Sequence, residues 1–130
     1  MYPIEYSGKM AFSGDTLLDD SANLLELCAI DDVRADTPHR VAAMDTELAV
    51  FQVDGNYYVI QDHCTHGPGS LSEGYLEGRE IECPFHQGRF DVITGEPTAP
   101  PCTIRLRTWN AILRDGKIFV DSTQHGSPLP

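Results

Sequence analysis

Two pairs of metal-binding residue types stand close together in this 130-residue chain. Cys64-Thr65-His66 comes first and Cys83-Pro84-Phe85-His86 second, with sixteen residues between His66 and Cys83. Taken singly, a cysteine or histidine is usually an ordinary core or surface residue. Four of them in this spacing, on segments that also carry glycine or proline, point to one closed site. Thiolates combined with imidazoles suit zinc or an iron–sulfur cluster, whereas calcium or magnesium would call for carboxylates. In a two-iron cluster, two thiolates can hold one iron and two imidazoles the other. A structural zinc site is the rival reading. Zinc ribbons and fingers usually show Cys-x2-Cys or His-x3-5-His on each side, while here each side joins one Cys to one His.

The elements around these pairs read as short strands. Leu25, Leu27 and Ala29 alternate with Glu26 and Cys28, as a half-buried strand does. Asp31 to Pro38 reads as a loop with one helical turn, and Arg40 to Ala43 as a short strand. Leu48–Val53 meets Asn56–Gln61 across Asp54-Gly55, two residues that tolerate φ > 0. A smaller hairpin, Tyr75-Leu76 against Glu80-Ile81-Glu82, lies between the two Cys-His pairs. It would return the chain on itself and carry Cys83 to Cys64. Arg89–Val92 continues as a strand that Gly95 and Pro97 end. Ile104 and Leu106 alternate with Arg105 and Arg107 in a strand that Trp109 closes as a core or edge aromatic. Ala111–Leu113 then pairs with Ile118–Val120 across Asp115-Gly116-Lys117. Short strands joined by glycine turns predict an all-β antiparallel sandwich or small barrel.

Composition excludes several function classes. The net charge of −11 opposes binding to a phosphate backbone, which needs clustered Lys and Arg. No nucleic acid and no membrane partner is therefore expected. No apolar run approaches the ~18 residues of a membrane span, and Met1-Tyr2-Pro3-Ile4-Glu5 lacks a signal-peptide pattern. A cytoplasmic setting with reduced thiols follows. Of the four cysteines, Cys28 and Cys102 are read as small buried or half-buried residues, and His39 and His125 as surface residues. Residues 1–23 stand apart as a flexible or loosely docked extension, with some helical spacing at Leu18, Ala22 and Leu25. Residues 24–121 form the domain, its cluster-binding part at about 62–102, and 122–130 a disordered tail.

Cys64-Thr65-His66-Gly67, the run Ser70 to Gly78, and Glu82 to Asp91 resemble the Rieske ferredoxins of bacterial aromatic-ring-hydroxylating dioxygenase systems. Thr94-Gly95-Glu96 and Pro100-Pro101 are similar to that family as well, and the resemblance covers roughly 24–121. It implies a Rieske-type sandwich with a cluster-binding subdomain inserted as two loops and a small hairpin. It also implies one [2Fe–2S] cluster held by Cys64, His66, Cys83 and His86, the histidines at the tip and the cysteines buried. Pro68, Phe85, Pro100 and Pro101 would form an apolar collar around it. The implied role is a monomeric carrier of single electrons, not an enzyme. Its partners would be an FAD-containing, NAD(P)H-dependent ferredoxin reductase and a terminal oxygenase.

The departures from high-potential relatives point one way. Gly69 and Phe85 stand where those proteins carry an extra cysteine pair, and Gly88 and Phe90 where they place hydroxyls against cluster sulfurs. A low-potential cluster is expected. A catalytic oxygenase subunit would need a further mononuclear iron site, and no such stretch is present here. The small subunit of a nitrite-reductase-like complex and a zinc-stabilised binding module remain as alternatives.

Overall fold

A computed structural model of the chain describes residues 23–65, 67–85 and 87–123. The expectations for residues 1–22, His66, His86 and 124–130, His125 included, lie outside the described residues. Among these the fold is all-β and antiparallel, in three sheets. The first has the order β1-β11-β10, from Leu24–Ala29, Lys117–Asp121 and Ile112–Arg114. The second is β2-β3-β4-β9, from His39–Ala43, Thr46–Val53, Asn56–Gln61 and Thr108–Asn110. The third is β5-β6-β7-β8, from Tyr75–Glu77, Glu80–Glu82, Arg89–Asp91 and Pro97–Ala99.

Strand β3 organises the packing, because it is buried on both faces. Leu48 and Val50 join Cys28, Val33, Val59, Trp109, Ile118 and Val120 in one core. Ala49, Phe51 and Val53, on the opposite face, join Ile60, Leu71, Ile81, Phe90, Val92 and Leu106, together with Cys64, Cys83 and Cys102. The period of two sends alternate side chains to opposite faces, so the unbroken run Leu48-Ala49-Val50-Phe51 serves two cores at once. Fully burying one such aliphatic or aromatic side chain contributes about 1.5–3 kcal/mol. The second core contains the cysteines of the site, which therefore pack with one face of β3.

The expected turns lie at their sequence signals. Val53 pairs with Asn56 across Asp54 (φ 53°) and Gly55 (φ 81°), and Arg114 with Lys117 across Asp115 and Gly116, also at positive φ. The small hairpin pairs Tyr75 with Glu82 and Glu77 with Glu80. The Asp31–Pro38 loop opens with the 3-10 turn Ile30–Asp32.

Several details differ from the sequence reading. A β-bulge between Glu26 and Cys28 breaks the simple alternation of β1, so Cys28 is buried while Leu25 and Leu27 pack on the same core. His39 opens β2 half-buried. Pro97 does not end the β-structure but begins β8, which pairs with β7 at the edge of its sheet. An edge position and a first strand residue are the places where a missing N–H is tolerated. The segment 104–107 is not a strand. Leu106 is buried and its N–H donates to the Gly95 carbonyl, while the Arg107 N–H donates to the Gln61 side chain. Those bonds replace a ladder and turn Ile104 outward, 60% exposed. Trp109 is buried, with the Arg107 guanidinium 5.5 Å from its ring centroid.

Candidate metal centre

The first cysteine-bearing loop leaves β4 and is built on Asp62. Its buried carboxylate accepts the Ser72 N–H at 2.8 Å and the Ser70 hydroxyl, and its carbonyl accepts the Leu71 N–H at 2.7 Å. Arg40 approaches the same carboxylate at 4.0 Å and bonds Glu47 at 3.0 Å. These bonds pull the 3-10 turn Leu71–Glu73 against the base of the loop, where Leu71 enters the core. Asp62→Ala orphans the half-buried Ser72 N–H, which costs up to about 1–3 kcal/mol. The urea midpoint should fall with the slope unchanged. An unchanged midpoint would mean that water replaces the carboxylate.

Both loops close in the same way. The Cys64 N–H donates to the Gly69 carbonyl at 3.0 Å, and the Cys83 N–H to the Gly88 carbonyl at 2.8 Å. Each cysteine thus begins a six-residue loop that a glycine ends. Both glycines are close-approach residues. A Cβ on Gly69 would stand 3.0 Å from Cys83 Sγ and 3.7 Å from Cys64 Cβ, and one on Gly88 only 2.2 Å from Cys102 Sγ. The backbone of Gly88 is not at positive φ, so a side chain there is excluded by crowding rather than by backbone conformation.

Cys64 and Cys83 are each 1% exposed and sit side by side, both packed against Gly69. The small hairpin brings them together across the sequence, as its position between the pairs implies. Burial pushes the Cys83 thiol up to about 11, so a metal entering this pocket must displace a proton. His66 and His86 lie outside the described residues. Among the described residues, no three His, Cys, Asp or Glu side chains are grouped to hold a metal. The donor chemistry fits the cluster: two buried, adjacent sulfurs, each followed within three residues by a histidine in the sequence.

A third loop closes the site. Its Pro100–Pro101 peptide is cis, and the Thr65 hydroxyl donates to the Ile104 carbonyl at 2.6 Å. Of the expected collar, Pro68, Phe85 and Pro100 are exposed and Pro101 half-buried. Pro68 and Phe85 share one edge of a groove of about 900 Å³ that runs to Arg40 and Glu73. Phe85 is 50% exposed. Two members of the site were missed from sequence. Ile104 extends the apolar rim, though its alternation with Leu106 suggested burial. Cys102 joins the core that holds the cysteine pair, and no local spacing links it to Cys64. On β7, Arg89 contacts Glu77 at 2.8 Å, Glu80 at 3.3 Å and Glu82 at 3.0 Å. These hydrogen bonds, Glu77 and Glu80 foremost, hold the guanidinium above its ordinary value.

The Rieske [2Fe-2S] domain matches residues 23–110. The ferredoxin component of a p-cumate 2,3-dioxygenase system from Pseudomonas putida is 44% identical over 108 residues, covering 82% of this chain and 92% of that protein. A ferredoxin from Sphingomonas yanoikuyae B1 superposes with a TM-score of 0.74 at 41% identity, covering 76% of this chain and 98% of that one. A chain of the complex of reduced oxygenase and oxidised ferredoxin in carbazole 1,9a-dioxygenase gives 0.72 at 42% identity, covering 77% and 94%. The buried cysteine pair, the antiparallel sheets that carry it and these likenesses agree: the chain belongs to the Rieske [2Fe-2S] family, as a ferredoxin that carries one cluster and transfers electrons rather than catalysing substrate chemistry.

Proposed function

We propose that this ferredoxin carries single electrons from an FAD-containing, NAD(P)H-dependent reductase to the terminal oxygenase of an aromatic-ring-hydroxylating dioxygenase system. In this reading it works in the cytoplasm as a monomer, and residues 24–121 are the working domain. Cys64, His66, Cys83 and His86 bind the cluster, the cysteines holding one iron and the histidines the other. When bound, the cluster supplies a one-electron acceptor and donor that needs no open coordination position. The chain's own part is to keep water from the sulfurs and to present an apolar face. The observation that carries the reading is the placement of two buried, adjacent cysteines beneath a rim of exposed apolar residues, Phe85 and Ile104 among them. No helix among the described residues is long and apolar enough to cross a membrane.

The test is reconstitution with a purified flavoprotein reductase and an aromatic-ring dioxygenase. Substrate oxidation should depend on added ferredoxin. A ferredoxin that the reductase reduces but that leaves the oxygenase oxidised would overturn the assignment of the acceptor.

The potential belongs to the same reading. Phe90 is fully buried in the core that contains Cys64 and Cys83 and offers no hydroxyl. Reduction adds one negative charge, so hydrogen bonds to the sulfurs favour the reduced form. Without a hydroxyl at Phe90 or Gly88, the potential should lie near the low end of the Rieske range, roughly −150 mV. Phe90→Tyr should raise it by some tens of millivolts, since about 1.4 kcal/mol between redox states equals ~59 mV. Protein-film voltammetry at one pH reads both values. A wild-type potential above zero would sink the low-potential reading.

A further inference from the structure

The segment 103–107 forms no strand, and two side chains that flank Cys64 hold it in place. Gln61 ends β4 three residues before Cys64. Its side-chain amide donates to the His63 carbonyl and accepts the Arg107 N–H, both at 2.8 Å. The Gln61 backbone N–H also donates to the Arg107 carbonyl at 3.0 Å. One residue beyond Cys64, the Thr65 hydroxyl donates to the Ile104 carbonyl at 2.6 Å. The stretch that bears Cys64 is therefore fastened to the third loop at two points, Arg107 and Ile104. Between those points the loop has anchors of its own. Leu106 is buried and its N–H donates to the Gly95 carbonyl at 2.8 Å, while Arg105 Nε donates to the Thr94 carbonyl at 3.2 Å. Ile104 lacks such support. It is 60% exposed, and among the described residues the bond from Thr65 is its one hydrogen bond.

We infer that Gln61 and Thr65 act as a clip, a pair of positioning residues that fixes Ile104 in the pose the terminal oxygenase meets. This rests on the reading of the rim of Phe85 and Ile104 as the contact face. An apolar side chain on a loose loop must be ordered when a partner docks, and that ordering lowers affinity. A carbonyl already held by a hydroxyl of the neighbouring loop removes the cost in advance. Thr65 suits the task, because a β-branched side chain has few rotamers and aims its hydroxyl in a set direction. The clip acts on docking and not on the cluster. Cys64 is 1% exposed, in the core that includes Phe51, Leu71 and Phe90, so its surroundings do not depend on where Ile104 points.

The experiment varies ferredoxin concentration in the reconstituted system, with reductase in excess, for wild type, Thr65→Val, Thr65→Ser and Gln61→Met. Thr65→Val keeps the shape and removes the hydroxyl, and Gln61→Met keeps the length and removes the amide. Both should raise the ferredoxin concentration for half-maximal turnover by about threefold or more, the scale of one ordinary hydrogen bond. Maximal turnover, and the potential read by protein-film voltammetry, should stay at wild-type values. Thr65→Ser should behave as wild type, because it keeps the donor. Hydrogen exchange on the ferredoxin alone reads the clip without a partner: the Arg107 amide should exchange faster in Gln61→Met. Wild-type half-saturation in either Thr65→Val or Gln61→Met overturns the proposal, as does an unchanged Arg107 exchange rate. Equal impairment of Thr65→Ser and Thr65→Val would mean packing, and a shifted potential would place the effect on the cluster; either result also overturns it. Should Thr65→Val fail to take up iron and sulfide, Gln61→Met decides alone. Ile104→Glu in the same assay separates the clip from the contact face. Impaired turnover there beside wild-type clip variants removes only the clip, whereas wild-type turnover in Ile104→Glu removes the face and the proposal with it.

Discussion

Replacing Cys64 or Cys83 by alanine should yield a chain without the cluster, colourless and with less than about a tenth of the wild-type iron and acid-labile sulfide. Each substitution removes one of the two buried sulfurs of the pocket, both 1% exposed. Among the described residues the neighbouring groups are already committed: Cys102 is packed against Gly88, Asp62 is bonded to Ser70 and Ser72, and Glu82 is paired with Arg89. Loss of the cluster also removes its contribution to folding, because a group bound only by the native state stabilises it in proportion to its affinity. The thermal midpoint of either variant should therefore fall to that of the metal-free wild type. Iron and sulfide analysis of anaerobically purified protein provides the check. A Cys83→Ala variant that keeps the full complement of both would remove Cys83 from the ligand set.

Phe85→Glu should reduce ferredoxin-dependent oxygenase turnover by tenfold or more while leaving the visible spectrum of the cluster unchanged. Phe85 is 50% exposed and lies beside Gly69, where a Cβ would stand 3.5 Å from its ring. An aromatic at the centre of an apolar contact is the usual site of concentrated binding energy, with hot spots worth about 2 kcal/mol or more. A carboxylate there also brings an unpaired charge into a desolvated contact. At 1.4 kcal/mol per decade, even the low end of that range exceeds tenfold. Ile104→Glu should act in the same direction, since Ile104 flanks Thr65 on the same rim. Leu113→Glu serves as the control. Leu113 is equally exposed, but it lies on β10, in the sheet across β3 from the cysteines. Stopped-flow reduction of the oxygenase by each variant gives the comparison. Wild-type rates for Phe85→Glu and Ile104→Glu would move the contact to another face.

Much of this architecture can be read locally, because its signals are local. Asp54-Gly55 and Asp115-Gly116 make hairpin turns wherever two strands flank them, since both positions accept positive φ. The ligand types and their spacing name the donor chemistry without reference to the fold, and the hairpin between them explains how Cys83 meets Cys64. The β2–β3 hairpin carries no such signal. It turns on Met44 and Asp45, both at positive φ and neither of them glycine, a conformation that costs free energy on its own. The pairing of Ala43 with Thr46 and the burial of β3 on both faces hold it there.

The sequence by itself determined the donor set, the all-β class and the turns that return the chain, because each depends on residues within a few positions of one another. Only the tertiary structure decided how distant segments share the site. Ile104 reads as a buried strand residue by period, yet the hydrogen bonds of Leu106 to Gly95 and of Arg107 to Gln61 take that segment out of any ladder and leave Ile104 at the rim. Pro97 reads as a strand breaker, yet an edge position lets it begin β8. Cys102 reads as a small core residue, and it is one. That its sulfur lies against Gly88, whose carbonyl closes the Cys83 loop, follows from the packing of two loops apart in sequence, which no local pattern encodes.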